Sequence, residues 1–235
     1  NSLNIVAQDN EESVEEVVVT GSYIKGSPTD GASPVEIINR DEIDNLNAST
    51  IADITANIAV NSGSENNPDS FTQGATQGSS NINLRGLGLS STLVLVDGKR
   101  HTLASATAND GSVFVNTNSI PVIALDRVEV LKEGAASIYG SDAVAGVVNY
   151  ILRKDFTGLE VVVSSQEADV GGQTDDRVGV IWGAEKDSSN FVVAFSKLDR
   201  SPMSSALIPE LSQLAISGLG NSFLLFGPST VDSGP

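Results

Sequence analysis

The chain of 235 residues has no cysteine, one histidine, one methionine and one tryptophan, and its 13 Lys and Arg stand against 30 Asp and Glu. The missing cysteines exclude a disulfide scaffold, a thiolate metal site and a cysteine nucleophile. A lone His101 excludes a histidine metal cluster and leaves little for proton transfer. A Ser-His-Asp set through His101 has no G-x-S-x-G elbow to sit on. No phosphate loop of the G-x-x-x-x-G-K-[ST] type occurs, and Gly86 and Gly88 lack the third glycine of a dinucleotide site. Glu65 and Asp69, or Asn109, Asp110 and Gly111, lack the alternating oxygen spacing of a calcium loop and read as solvated turns. The formal charge of −17 argues against nucleic acid and against docking on anionic lipid headgroups. No apolar run reaches the length of a membrane helix, so any membrane crossing has to use strands.

What is present is densest at residues 120–154. Arg127, Glu129 and Leu131 alternate with Val128 and Val130, the period of a half-buried strand. Residues 135–139 suffice for one helical turn, and a second turn starts at Ser141 and Asp142. Residues 146–153 form a nearly continuous β-branched run, predicting a strand buried on both faces. Gly134, Gly140 and Gly146 mark places of positive φ or close backbone approach.

Earlier in the chain, residues 1–14 are polar and acidic and form a tail. Glu15, Glu16, Val17, Val18, Val19 and Thr20 then make a short strand with no local partner. It is either the first strand of the domain or a segment suited to strand addition on a partner sheet. Residues 34–39 alternate as a strand. Asn39 or Asp41 can cap a helix running to Leu46, and Ser49 or Thr50 a second over residues 51–58, with Ile51, Ile54 and Ile58 on one face. The amide- and glycine-rich residues 61–80, with one aromatic, Phe71, are too long for a plain connector. Residues 81–86 read as a short strand, and residues 93–100 as a buried strand running into the Asp97-Gly98 turn.

Beyond Phe156 three runs of nine to eleven residues alternate. Leu159, Val161 and Val163 share a face, as do Val178, Val180, Trp182 and Ala184, and Phe191, Val193 and Phe195. Small or polar residues occupy the other faces. This pattern fits strands crossing a bilayer at a tilt, and equally a soluble meander. Three strands cannot close a barrel. The lack of an initiator Met and the polar ending at residues 227–235 lead to the expectation of a piece of a longer chain, with Leu3, Ile5, Val6 and Ala7 as the remnant of a leader.

The order of motifs resembles the plug domain of TonB-dependent outer-membrane receptors. The matching residues are Asp126, Arg127, Val128, Glu129 and Val130; then residues 136–143, ASIYGSDA; then Gly146, Val147, Val148, Asn149, Tyr150 and Ile151. The Arg85-Gly86 pair and residues 93–100, LVLVDGKR, also match. The family's Gly-Pro after the first of these strands is replaced by Glu133, Gly134 and Ala135. The resemblance implies an α+β plug domain, a small mixed β-sheet with short helices over residues 24–155, followed by the first antiparallel strands of a transmembrane β-barrel over residues 156–235. It implies that residues 15–23 hold the segment captured by TonB, which works with ExbB and ExbD, and that Arg85, Arg100, Arg127 and Glu129 make polar contacts between plug and barrel. It makes Phe71, Gln73, His101, Asn109 and Asp110 candidates for contact with a nutrient ligand such as a siderophore, cobalamin or oligosaccharide. No cofactor or catalysis is expected. The implied place is the outer membrane, with lipid around the barrel and the plug and N-terminus facing the periplasm. A soluble secreted or periplasmic β-rich binding module is the alternative, and a secreted hydrolase a weaker one.

Overall fold

The computed structural model describes residues 20, 35–62, 76, 78–108, 110–167, 173–186 and 189–201. Two sheets organise them. The first has five strands: β1 (Val35–Ile38), β2 (Thr92–Val96), β3 (Lys99–Arg100), β4 (Leu125–Leu131) and β5 (Gly146–Leu152), in the order β1-β4-β5-β2-β3. β2 and β5 pair parallel, and the other neighbours pair antiparallel. The second is an antiparallel meander of β6 (Gly158–Glu167), β7 (Thr174–Lys186) and β8 (Ser189–Arg200).

Two short helices pack on the first sheet. Helix α1 (Arg40–Asn45) starts at Asn39, whose side chain accepts the Glu42 N–H at 3.0 Å while the Glu42 carboxylate accepts the Asn39 N–H at 2.9 Å. Helix α2 (Ile51–Thr55) repeats the device with Thr50 and Asp53. Each reciprocal pair satisfies two backbone donors that a helix start leaves orphaned. The expected run to residue 58 is cut short at Thr55. There the amide of Asn61 takes the Thr55 carbonyl at 3.1 Å and the amide of Asn57 takes that of Asp53 at 2.8 Å, ending the helix with side-chain donors. Ile51, Ile54 and Ile58 are nevertheless all buried, beside Ile43, Val128, Val148 and Tyr150. Each such side chain contributes about 1.5–3 kcal/mol relative to exposure.

β5 lies between β4 and β2 and is buried over its first five residues, as the continuous run predicted. β4 departs from expectation. It is not half-buried: Val128 and Val130 fill the core on one side, and Glu129 on the other is also fully buried. β1 and β5 cover its edges, and a set of polar side chains covers Glu129. A second correction concerns residues 81–86. They form no strand beyond the single bridge Asn61↔Leu84, and the fifth strand of the sheet is β3. The N–H of Asn83 goes to the Asn61 side chain and that of Leu84 to Thr92 Oγ1, so side chains replace the ladder.

Helix α3 (Ala136–Tyr139) and the 3-10 turn Ser141–Ala143 link β4 to β5. The three glycines of this stretch sit where close approach or positive φ requires them: Gly134 against the Val144 carbonyl, Gly140 at φ +97°, and Gly146 at φ +135°, where a Cβ would overlap the Leu131 carbonyl.

The second sheet is inverted relative to a soluble one. Leu159, Val161, Val163, Phe191, Val193 and Phe195 are exposed, up to 72% for Val163, whereas Arg177, Gly179, Ile181 and Gly183 face inward and are buried. Trp182 and Phe191 meet edge to face on the outer side, with centroids 6.2 Å apart. β7 and β8 run to 13 and 12 residues, longer than the expected nine to eleven. The inner face of β7 meets the first sheet's side of the molecule closely at Gly179 and Gly183. A Cβ at Gly179 would come to 3.3 Å of Ile123, and one at Gly183 would overlap the Phe156 carbonyl. No helix among the described residues is long and apolar enough to cross a membrane, which leaves strands untouched as a means of crossing.

Candidate functional site

The middle of the first sheet holds a polar cluster against its own hydrophobic logic. Glu129 on β4 and Asn149 on β5 are register partners, and both are buried. Thr20 reaches them from more than a hundred residues away: its hydroxyl donates to Glu129 Oε2 and accepts from Asn149 Nδ2 at 2.9 Å. Arg127 Nε donates to Glu129 Oε1 at 2.9 Å, and its Nη1 pairs with Asp126 at 2.8 Å. Asn149 Oδ1 accepts the Gly98 N–H at 2.9 Å, joining the cluster to the Asp97-Gly98 turn. A buried carboxylate costs heavily unless charge and hydrogen bonds meet it, and here three side chains do so.

Thr20 is the last residue of the candidate partner-binding segment, and it alone of that segment is described. Glu15, Glu16, Val17, Val18 and Val19 lie outside the described residues, as do Phe71, Gln73 and Asn109. Arg127 and Glu129 come together with Thr20. Arg85 and Arg100 stand apart from them. Arg85, at φ +56°, donates to the Val144 and Ala145 carbonyls, both at 3.1 Å. Arg100 holds Asp142 and the Tyr139 carbonyl. The Arg100 guanidinium keeps the Asp142 carboxyl below its ordinary range, and the carboxylate in turn raises the guanidinium. All of these partners lie on the side of the first sheet.

The described polar contacts from that side to the second sheet come from residues that sequence reasoning passed over. Arg177 of β7 donates to the Ala48 carbonyl at the α1–α2 corner. Arg153 pairs with Glu160 at 2.8 Å and lies 4.4 Å over the Phe156 ring. Asn190 donates to Asp155. The available signal for Arg177 was a lone cation on an inward face otherwise built of glycine and isoleucine.

The ligand candidates divide. His101 lines a cleft of about 610 Å³ between the first sheet and β8, with Nδ1 near the Thr102 carbonyl. Asp110 accepts the Ser112 N–H and hydroxyl, both at 2.8 Å, which lowers its pKa. It belongs to the loop of residues 101–116, which runs from β3 back past β2 so that Ala104, Ala108 and Phe114 pack on Leu89. No cluster of His, Asp and Glu able to hold a metal occurs among the described residues.

Residues 27–147 match the family model described as the TonB-dependent receptor plug domain. The chain belongs to this family. The vitamin B12 transporter BtuB of Vibrio vulnificus is 30% identical over 190 residues, which cover 77% of this chain and 27% of that one. The iron-regulated outer membrane virulence protein of Vibrio cholerae is 28% identical over 155 residues, 66% of this chain and 22% of that one. In fold, the chain is similar to the ferric enterobactin receptor of Pseudomonas aeruginosa, with a TM-score of 0.60 and 22% identity over 77% of this chain and 27% of that one. The chain thus spans about a quarter of the length of these relatives. The first sheet is the plug, α+β in class, and β6, β7 and β8 are antiparallel strands of a transmembrane barrel that this chain does not close. Its place is the bacterial outer membrane.

Proposed function

We propose that this chain is the plug and first wall strands of a receptor that takes up a scarce or large nutrient across the outer membrane, driven by TonB with ExbB and ExbD. The observation that carries the coupling is the anchorage of Thr20. The segment of residues 15–20 ends in a side chain hydrogen-bonded to both central antiparallel strands, so capture of Val17, Val18 and Val19 as an added strand on TonB transmits directly to Glu129 and Asn149. The outward apolar face of β6–β8 supports the membrane setting over a soluble module, because six large apolar side chains on one exposed face have no soluble purpose. Arg177, Arg153 and Asn190 supply a polar seam between plug and wall, which exchanges partners more cheaply than an apolar one.

Val18→Pro in the full-length receptor tests the coupling, since proline removes a ladder donor. Nutrient uptake is lost while ligand binding at the cell surface stays intact. Uptake that continues at the native rate sinks the proposal.

A further inference from the structure

One side chain stands in the linings of two cavities. The cleft of about 610 Å³ lies at the end of β2, where Val96 and Asp97 face Leu152 and Lys154 after β5, and Val192 and Ala194 on β8. A second cavity, of about 250 Å³, lies at the start of β2 among Leu89, Leu93, Leu103, Val113 and Phe114. Among the described residues, His101 alone lines both. β3 has only two residues and covers β2 at Leu95 and Val96. The next contact along β2 is the bond from the His101 N–H to the Val94 carbonyl at 3.4 Å, so the imidazole stands where the ladder stops.

The ring has an oxygen at each nitrogen. Nδ1 lies 3.2 Å from the Thr102 carbonyl and Nε2 lies 3.4 Å from Ser119 Oγ. The Ser119 hydroxyl donates to the Asn116 carbonyl at 2.8 Å, which holds its oxygen toward the ring. These contacts join the end of β3 to the 3-10 turn Thr117–Ser119, 18 residues on, and set the plane of the imidazole between the two spaces. The charges of both linings cancel. Arg100 meets Asp142 in the smaller cavity, and in the larger one Asp97 pairs with Lys154 while Arg153 and Asp155 add one charge of each sign. Surroundings relax only in part when a large side chain is removed, so loss of the imidazole leaves its space open and joins the cavities.

Resting on the uptake reading above, we infer that the ring of His101 is the partition closing a solute route past β2, between the cavity at its start and the plug-to-wall cleft at its end. The test uses the full-length receptor containing this chain, purified and inserted into planar bilayers without TonB, with potassium chloride as the probe. His101→Ala gains a steady ion conductance, while the native receptor and Leu103→Ala, which alters the smaller cavity alone, stay closed. With no excess of one sign along the route, the leak passes potassium and chloride about equally. His101→Phe restores a ring and stays closed. In the double variant His101→Ala with Ala194→Cys, a bulky maleimide closes the leak again, and the chain has no cysteine of its own to compete for the reagent. A closed His101→Ala receptor overturns the inference. So does a leak that persists in His101→Phe or after labelling, which is the mark of a loosened plug. Because no TonB takes part, the outcome stands apart from the uptake reading. An open His101→Ala receptor with uptake indifferent to Val18→Pro keeps the partition and removes the uptake, whereas a closed one with uptake lost in Val18→Pro does the reverse.

Discussion

The plug sheet and the wall sheet use the same residue types in opposite senses. In the plug, β4 and β5 turn valines inward on one side and carry Glu129 and Asn149 on the other, so polarity is placed in the middle and sealed. In the wall, β6, β7 and β8 turn valines and phenylalanines outward, and β7 turns Arg177, Gly179, Ile181 and Gly183 inward. Strand periodicity is identical in the two. The difference is the medium on each face: protein on both faces of the plug sheet, hydrocarbon and protein on the two faces of the wall. An alternating strand therefore fixes a face and leaves the identity of the solvent to be learned from its neighbours.

The largest effect that separates the two sheets is expected at Glu129. Glu129→Ala removes the carboxylate that Arg127, Thr20 and Asn149 share in a buried site and costs about 3–5 kcal/mol of plug stability, read as earlier denaturant unfolding of the plug in the full-length receptor. An unchanged midpoint would mean that the cluster is solvated after all. On the wall, Val161→Arg costs about 2–4 kcal/mol at mid-membrane depth, while Ser164→Arg on the opposite face costs little. Heat-modifiability on gels and yield of inserted receptor measure this, and equal losses at the two positions would undo the assignment of faces. Thr50→Ala removes the α2 cap for about 1 kcal/mol, and Thr50→Ser restores most of it.

The smallest effect concerns acid. The folded Asp142 carboxyl titrates below its ordinary value, so its pairing with Arg100 adds stability above about pH 4, and that increment disappears as pH falls through the lowered folded value. Both groups are partly exposed, 52% and 39%, which limits the pair to about 1 kcal/mol or less. Asp142→Asn flattens this part of the pH profile. A profile identical to the native one would assign the acid response to other carboxylates.

Much of this was legible because it is local. Asn39 with Glu42 and Thr50 with Asp53 announce their helices within four residues, and the Asp97-Gly98 turn announces its hairpin. The alternation of residues 159–163, 178–184 and 191–195 gives the lipid face directly. The residues 81–86 misled because Ile82 and Leu84 alternate correctly, while the fate of their backbone N–H groups is settled by Asn61 and Thr92 elsewhere in the chain. The burial of Glu129 was hidden for the same reason, since it depends on Thr20 at a separation of 109 residues. Arg177 meeting Ala48 at a separation of 129 residues is likewise a property of assembly.

The order of the plug strands has a mechanical consequence. A load entering from the N-terminal side meets, in series, the hydrogen bonds of Thr20, then β1, an edge strand of four residues paired with β4 alone, then α1, held by Arg40 at the Val122 and Leu125 carbonyls. Only after these does it reach Ala48, where Arg177 ties the chain to the wall. The pairing of β5 with β4 and with β2 does not run through β1, so the sheet can lose its first strand and stay a sheet. Among the described contacts, those of Thr20, β1 and α1 stand first along the line of force, and the tie to the wall stands behind them.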